Sequence, residues 1–278
     1  MKIPAFPRGR RLLTAVAAVS SVVMGLGALP ASAGPEAVDP IDRMVAEFDH
    51  PMGSQIAKHE GTDEMVLVPP DMGVEAVVYG IDVSGWQGNV DWAAQWNAGR
   101  RFAYVKATEN TNYRNPYFAQ QYNGSYNIGM IRGAYHFATP NTTSGAAQAD
   151  YFVSNGGGWS RDGKTLPGAL DMEYNPYGAT CYGLSKAAMT SWIKAFSDRY
   201  QARTSRWPVI YTSTSWWSQC VSGDFSSTNP LWVARYSTSV GALPYAWGFY
   251  TIWQYSSSPI DQNQFNGAYD RLQALSNG

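Results

Sequence analysis

The sequence predicts an α/β fold, a modified TIM-like (β/α) barrel whose later strands lack full helices. Three observations carry that expectation. Short apolar runs alternate with amphipathic helical stretches across residues 79–278, the pattern of a parallel sheet with right-handed crossovers. Seven or eight strands fit this length, and the connections shorten towards the C-terminus, which suits closure better than an open sheet. Neither a Gly-rich dinucleotide fingerprint nor a phosphate loop follows any of the runs.

In chain order, residues 1–33 read as a signal peptide. Lys2, Arg8, Arg10 and Arg11 precede an apolar stretch from Leu12 to Leu29, and Ala31-Ser32-Ala33 supplies a small-residue cleavage site. Breaks at Gly25, Gly27 and Pro30 favour a signal over a membrane anchor, and Arg10-Arg11 leaves twin-arginine export open beside the general route. No later segment is long and apolar enough to span a bilayer. The product is expected to be secreted and extracellular, a monomer, with no membrane contact once the signal is gone.

Residues 34–78 read as an acidic pro-segment. Ten carboxylates face only Arg43 and Lys58, a net charge of −8, with no Trp or Tyr and with a Pro69-Pro70 break near the end. Such a segment is expected to be mostly disordered by itself. Residues 79–278 carry 14 basic and 11 acidic residues, a net of +3. The arm either shields a basic cleft until it is removed or is a solvated leader that aids secretion.

Residues 79–278 are long enough for one domain with a real core. Candidate strands are 79–83, 102–107, 131–138, 166–174, 209–212, 231–236 and 251–255; candidate helices are 90–98, 117–128, 146–153 and 186–202. Gly99 and Gly129 stand where helices should stop. The central stretch is LPGALDMEY, in which an apolar run ends in Asp171 and Glu173 with Met172 between them. Residues i and i+2 of a strand share a face, about 6.5–7 Å apart. Leu170 and Met172 therefore face one way, and the two acids the other. Adjacent acids repel and cost desolvation, so they mark either a working site or a hydrated strand end. The other strand ends carry Asp82, Lys106 with Glu109, Tyr135-His136, Tyr211, Arg235-Tyr236 and Gln254-Tyr255. Barrels of this type hold their working groups there. Cys181 and Cys220, the only cysteines, fit one disulfide in a secreted chain.

Several chemistries are excluded. His136 is the only histidine beyond the arm, which holds His50 and His59, so zinc ligation lacks ligands. No metal or other cofactor is expected. No Gly-x-Ser-x-Gly elbow occurs in the body, and the basic residues are too dispersed for nucleic acid. His136 is either a substrate-contacting group or a hydrogen-bonded structural residue. Carboxylates and aromatics remain, the material of carbohydrate hydrolysis. With 18 Tyr and 11 Trp in the chain, those beside strand ends would line a groove: Tyr113, Tyr135, Tyr174, Tyr211, Tyr236, Trp253 and Tyr255.

Six motifs in order, YGIDVSGWQG from Tyr79, FAYVKATE from Phe102, GAYHF from Gly133, LDME from Leu170, LWVARY from Leu231 and WQYSSSPIDQNQFNG from Trp253, resemble the glycoside hydrolase family 25 lysozymes. The resemblance covers residues 79–267 and implies a modified β/α barrel that cleaves the β-1,4 bond between N-acetylmuramic acid and N-acetylglucosamine in bacterial peptidoglycan. The family's Asp-x-Glu pair falls on Asp171 and Glu173, its first-strand Asp on Asp82, and its late Asp on Asp261. Ser258-Pro259-Ile260 replaces the usual Gly before that late Asp. Lys106, Glu109, Tyr135, His136, Tyr174, Tyr211, Arg235, Tyr236, Trp253 and Gln254 are the expected sugar contacts. Glu173 is expected to be the general acid, with ionised Asp171 keeping it protonated. A glycan-binding barrel without hydrolysis and a chitinase-like hydrolase are the alternatives.

Overall fold

Eight strands close on themselves: β1 (Val78–Val83), β2 (Phe102–Glu109), β4 (Ile131–Phe137), β5 (Ala169–Asp171), β6 (Val209–Thr212), β7 (Leu231–Ala234), β8 (Ile252–Ser256) and β9 (Gln262–Phe265). A short β3 (Tyr113–Arg114) folds back on the end of β2. This computed structural model describes residues 39–63 and 77–278. The expected signal peptide and arm residues 34–38 and 64–76 lie outside the described residues. Neighbours are parallel from β1 through β8 in barrel order, while β9 runs antiparallel to both β8 and β1 and closes the cylinder.

Helices α3 (Trp92–Asn97), α4 (Phe118–Asn127), α5 (Gly145–Phe152), α6 (Lys186–Thr204) and α7 (Thr214–Cys220) cover the early strands, and α8 (Tyr269–Asn277) ends the chain. Side chains of Asp91, Ser144, Ser185 and Ser213 cap four of them by accepting first-turn amides. Along α6, Met189, Ile193, Phe196 and Tyr200 recur at helical spacing and are buried. Gly145 lets α5 lie against α6, because a Cβ there would stand 2.3 Å from the Trp192 carbonyl oxygen. Beyond β7 the helices give way: a loop leads to β8, and a hairpin joins β8 to β9. Ile81, Val83, Ala103 and Val105 pack outwards with Trp92 and Met130.

Three elements differ from expectation. The strand foreseen at 166–174 shortens to Ala169–Asp171. Pro167 has no amide hydrogen, and the Gly168 amide donates to the Tyr200 hydroxyl at 2.7 Å instead. Glu173 consequently stands just beyond the strand. β9 was not foreseen, since Gln-Asn-Gln carries little strand propensity and owes its place to pairing on both sides.

The third difference is the arm. Residues 39–63 form α1 (Pro40–Phe48) and α2 (Ser54–Glu60) against the barrel. Asp39 caps α1, with Pro40 at its first position. Met52 and Ile56 are each only 1 % exposed and join the main apolar cluster. Burial of each such side chain contributes about 1.5–3 kcal/mol, which holds in place a segment too polar to fold alone.

Cys181, after β5, is bonded to Cys220 at the end of α7, with Cα atoms 5.3 Å apart. The bridge closes a loop across 39 positions, for which chain entropy sets an upper stabilisation of about 4 kcal/mol. Replacing both cysteines by serine should cost about 2–4 kcal/mol, read as a lower urea midpoint with a steeper slope, because the unbridged unfolded chain exposes more surface. An unmoved midpoint would show that the bridge is dispensable.

Candidate active site

Strand alternation turns Asp82, Lys106, Tyr135, Asp171, Tyr211 and Gln254 into the mouth of the barrel, and the loop residues Glu173, Tyr236 and Asp261 join them there. The four acids are 7 % exposed or less. A chain of donors runs across the mouth. The Tyr211 and Tyr236 hydroxyls both donate to Gln254 Oε1. Gln254 Nε2 and Asn263 Nδ2 donate to Asp82 Oδ2 at 2.9 and 2.7 Å, and Trp232 Nε1 fixes Asn263 at 2.9 Å. Asp261 follows the loop with the cis Ser258-Pro259 bond and meets β1 through its carbonyl, which accepts the Asp82 amide.

Burial governs the ionisation of these acids. It pushes Asp82 up to about 7, opposed by the Asn263 and Gln254 donors. Asp261 is raised well above the usual carboxylate range by burial, then by Asp82 and Glu173. Glu173 rises to about 8 through burial, although three backbone amides pull the other way. Asp171 is raised well above the usual carboxylate range by burial and then by the charge of Glu173. Neither of its carboxyl oxygens meets a donor among the described residues. Burial thus raises both carboxyls of the pair; three amide donors oppose the shift at Glu173, and none among the described residues does so at Asp171.

Those donors come from the arm. The Gly53 amide donates to Glu173 Oε1 at 2.8 Å, and the Gln55 and Ile56 amides donate to Oε2, both at 2.9 Å. Lys106, fully buried, is clamped between Asp49 of the arm at 2.8 Å and Glu109 at 2.7 Å, and donates to the His50 carbonyl. Burial would raise Glu109, but Lys106 and His50 outweigh it and hold the carboxyl at about 2. Tyr113 lies beside Lys106, and Tyr174 stacks on His59 with ring centres 4.3 Å apart.

Four expected contacts are not brought together with this cluster. His136 points outwards, the opposite way to Tyr135, as adjacent strand residues must. It is enclosed by Phe152 and Phe196, accepts from the Thr108 hydroxyl at 2.8 Å and donates to Gln148 Oε1 at 3.0 Å. It is a structural residue. Trp253 and Tyr255 flank Gln254 and point to the outer side, where Tyr255 meets Tyr79 and the Trp253 indole donates to the Arg235 carbonyl. Arg235 is exposed and lines a cavity of about 560 Å³ with Glu60, Asp63 and Ser237. Residues missed by sequence reasoning are Asn263, whose signal was only its place two positions after Asp261, and Tyr182, buried beside Glu173 and Asp171.

Residues 81–264 match the model of glycosyl hydrolases family 25. Lysozyme M1 of Streptomyces globisporus is 51 % identical over 227 residues, covering 78 % of this chain and 76 % of its own length. An N,O-diacetylmuramidase of Chalaropsis is 50 % identical over 210 residues, 72 % of this chain and 100 % of its own. Among solved structures, a muramidase from Acremonium alcalophilum (58 % identity, TM-score 0.71) covers 72 % of this chain and 99 % of its own. The lysozyme of Streptomyces coelicolor (52 %, TM-score 0.70) covers 72 % and 97 %.

The placement of His136 has a measurable consequence. Burial lowers its pKa from 6.5 to about 4, so its contribution to stability is complete above pH 6.5 and is lost as pH falls towards 4. That swing is about 3 kcal/mol. Urea midpoints of the native chain should fall across this interval more steeply than those of His136→Gln; parallel profiles would contradict the assignment.

Proposed function

The chain belongs to glycosyl hydrolases family 25 and is a peptidoglycan-hydrolysing lysozyme of the muramidase type, and from that premise we propose how its carboxylates divide the work. The bond cut is the β-1,4 linkage from N-acetylmuramic acid to N-acetylglucosamine. Glu173 is the general acid that protonates the leaving glycosidic oxygen. A carboxyl raised by burial keeps its proton at neutral pH, which a proton donor requires. The single observation that carries this reading is the Asp171–Glu173 pair on one face, buried in a mouth lined by Asp82, Tyr135, Tyr211 and Gln254.

Asp171 orients the substrate's acetamido group. With no protein donor on either oxygen among the described residues, it can accept the acetamido N–H and aim the carbonyl oxygen at the anomeric carbon. That oxygen then attacks as the leaving group departs, the substrate-assisted variant of glycoside hydrolysis. Asp82 is the weaker nucleophile, because its Oδ2 already accepts two hydrogen bonds. It serves instead as the negative group beside the sugar cation, its charge held by the Gln254 and Asn263 donors. Tyr135, Tyr211, Tyr236 and Gln254 hold the rings, while Lys106 and Glu109 set the charge of the rim. The enzyme acts outside the cell, exported through residues 1–33 and working as a monomer on walls. Walls with O-acetylated muramic acid belong in its range, since two relatives about half identical to it are named N,O-diacetylmuramidase.

The test uses residues 77–278, because residues 39–63 cover Glu173. This segment should clear a cell-wall suspension and release new reducing ends on muramic acid. Glu173→Gln should lower that rate by about 10²–10⁴-fold while sedimentation with walls persists. Near-native hydrolysis by the variant would remove Glu173 from the acid role, and a sugar ester trapped on Asp82 or Asp171 would replace substrate assistance by covalent catalysis.

A further inference from the structure

We propose that residues 39–63 are a built-in inhibitor of this lysozyme, occupying the glycan cleft with backbone amides bound to the carboxyl assigned as general acid. The inference rests on the hydrolase reading above and names the regulation of that same site.

The arm contacts several of the groups assigned to catalysis and sugar binding. Gly53, Gln55 and Ile56 use their backbone amides on both oxygens of Glu173. The Met52 amide donates to the Tyr135 hydroxyl at 3.1 Å, and the Gly53 carbonyl lies 3.1 Å from the Tyr236 hydroxyl, competing with Gln254 Oε1 for its one proton. The Gly53, Gln55 and Ile56 amides are the N-cap and first-turn donors of α2, which have no partner within the helix and are therefore free to bind a carboxyl. Side chains complete the seal. Asp49 binds Lys106 and also accepts the Trp86 amide at 2.8 Å. The His59 ring stacks on Tyr174 at an interplanar angle of 6°, the geometry of a sugar face on an aromatic platform. Glu60 accepts from Tyr174 and Ser213.

Two consequences block turnover. No sugar can reach Glu173 past Met52–Ile56, and the three amides require its carboxyl to accept hydrogen bonds rather than donate a proton. One residue makes the fit possible. Gly53 has φ of +80°, and a Cβ on it would stand 2.0 Å from the Tyr236 hydroxyl and 2.5 Å from both the Tyr211 hydroxyl and Gln254 Oε1. A larger side chain is therefore excluded by three groove residues at once.

The segment is joined to the barrel through residues 64–76, so the cleft meets it at an effective concentration on the order of millimolar. A micromolar intrinsic affinity then suppresses activity by about 10³-fold. Cutting the chain within 64–76 converts the contact to a bimolecular one, and dilution releases it.

The experiment compares reducing-end release by four proteins: the full chain, the full chain with Gly53→Val, residues 77–278, and the full chain cut at a protease site placed in 64–76 and then diluted. Solved relatives that align over 97–99 % of their length with 72 % of this chain show that such a barrel stands alone. The full chain should be at least about 10²-fold slower than residues 77–278, with Gly53→Val and the cut chain returning to within a few-fold. A synthetic peptide of residues 39–63 should inhibit residues 77–278 in trans, and its Gly53→Val form should not. Equal rates for full chain and barrel, or a Gly53→Val chain as slow as the native one, overturn the proposal. If residues 77–278 leave walls intact, the hydrolase reading fails instead. The plug is then judged by titrating fluorescent 39–63 peptide onto the barrel: saturable binding lost with Gly53→Val sustains it, and no binding ends it.

Discussion

Asp82, Asp171, Glu173 and Asp261 share one dehydrated mouth, and Lys106 is the buried cation nearest to them. Four anions cannot coexist there. Burial costs each of them solvation, and mutual repulsion adds to it. The mouth meets this constraint in two ways. Donors from Gln254 and Asn263 stabilise charge at Asp82, while burial and the neighbouring Glu173 push Asp171, which has no donor among the described residues, towards its neutral form. The tyrosines and Trp232 that hold these donors serve the same end, since a misplaced amide would leave an acid both charged and unpaired. The barrel closure follows as a requirement. Asn263 reaches Asp82 only because β9 inserts antiparallel between β8 and β1. A fully parallel cylinder would place another residue there.

Much of this was legible from period alone. The i, i+2 spacing of Asp171 and Glu173 fixed their common face, and the same parity holds for Leu170 and Met172, which are buried away from them. Parity also explains the errors. Tyr135 and His136 share one strand end in the sequence, as do Trp253, Gln254 and Tyr255, yet neighbours on a strand face opposite ways. Separating Tyr135 and Gln254 from the other three needed only the direction of one residue per strand. Asn263 was out of reach for a different reason, because Gln-Asn-Gln has neither apolar alternation nor strand propensity. Its position is set by backbone pairing with two other strands.

The arm was legible in its charge and illegible in its fold. Ten acids and no Tyr or Trp predict a segment that cannot build a core of its own, and residues 39–63 indeed borrow one, through Met52 and Ile56. What the composition suggested was charge shielding. Among the described residues there is one such contact, Asp49 on Lys106. The contacts with Glu173, by contrast, run through main-chain amides that any sequence possesses. Only Gly53 leaves a trace in the sequence, as the residue type that tolerates both φ of +80° and the closeness of Tyr236.

The same dehydration serves catalysis and restraint through opposite protonation states. A raised Glu173 is useful to a glycosidic oxygen because it still holds a proton to give. Once ionised in that dry setting, it becomes an acceptor strong enough to organise three amides at 2.8–2.9 Å. A glycosidic oxygen has no proton to donate and therefore selects the neutral acid, whereas the arm brings only N–H groups to this carboxyl and selects the anion. Substrate and arm thus compete for one cleft but recognise different forms of its central residue. Asp171 lies beside that choice, because whichever carboxyl keeps the proton leaves its neighbour to carry the charge. The pair is a proton-sharing unit whose occupant decides which oxygen is acid, so an arm that contributes no catalytic group still sets the state of the one that does.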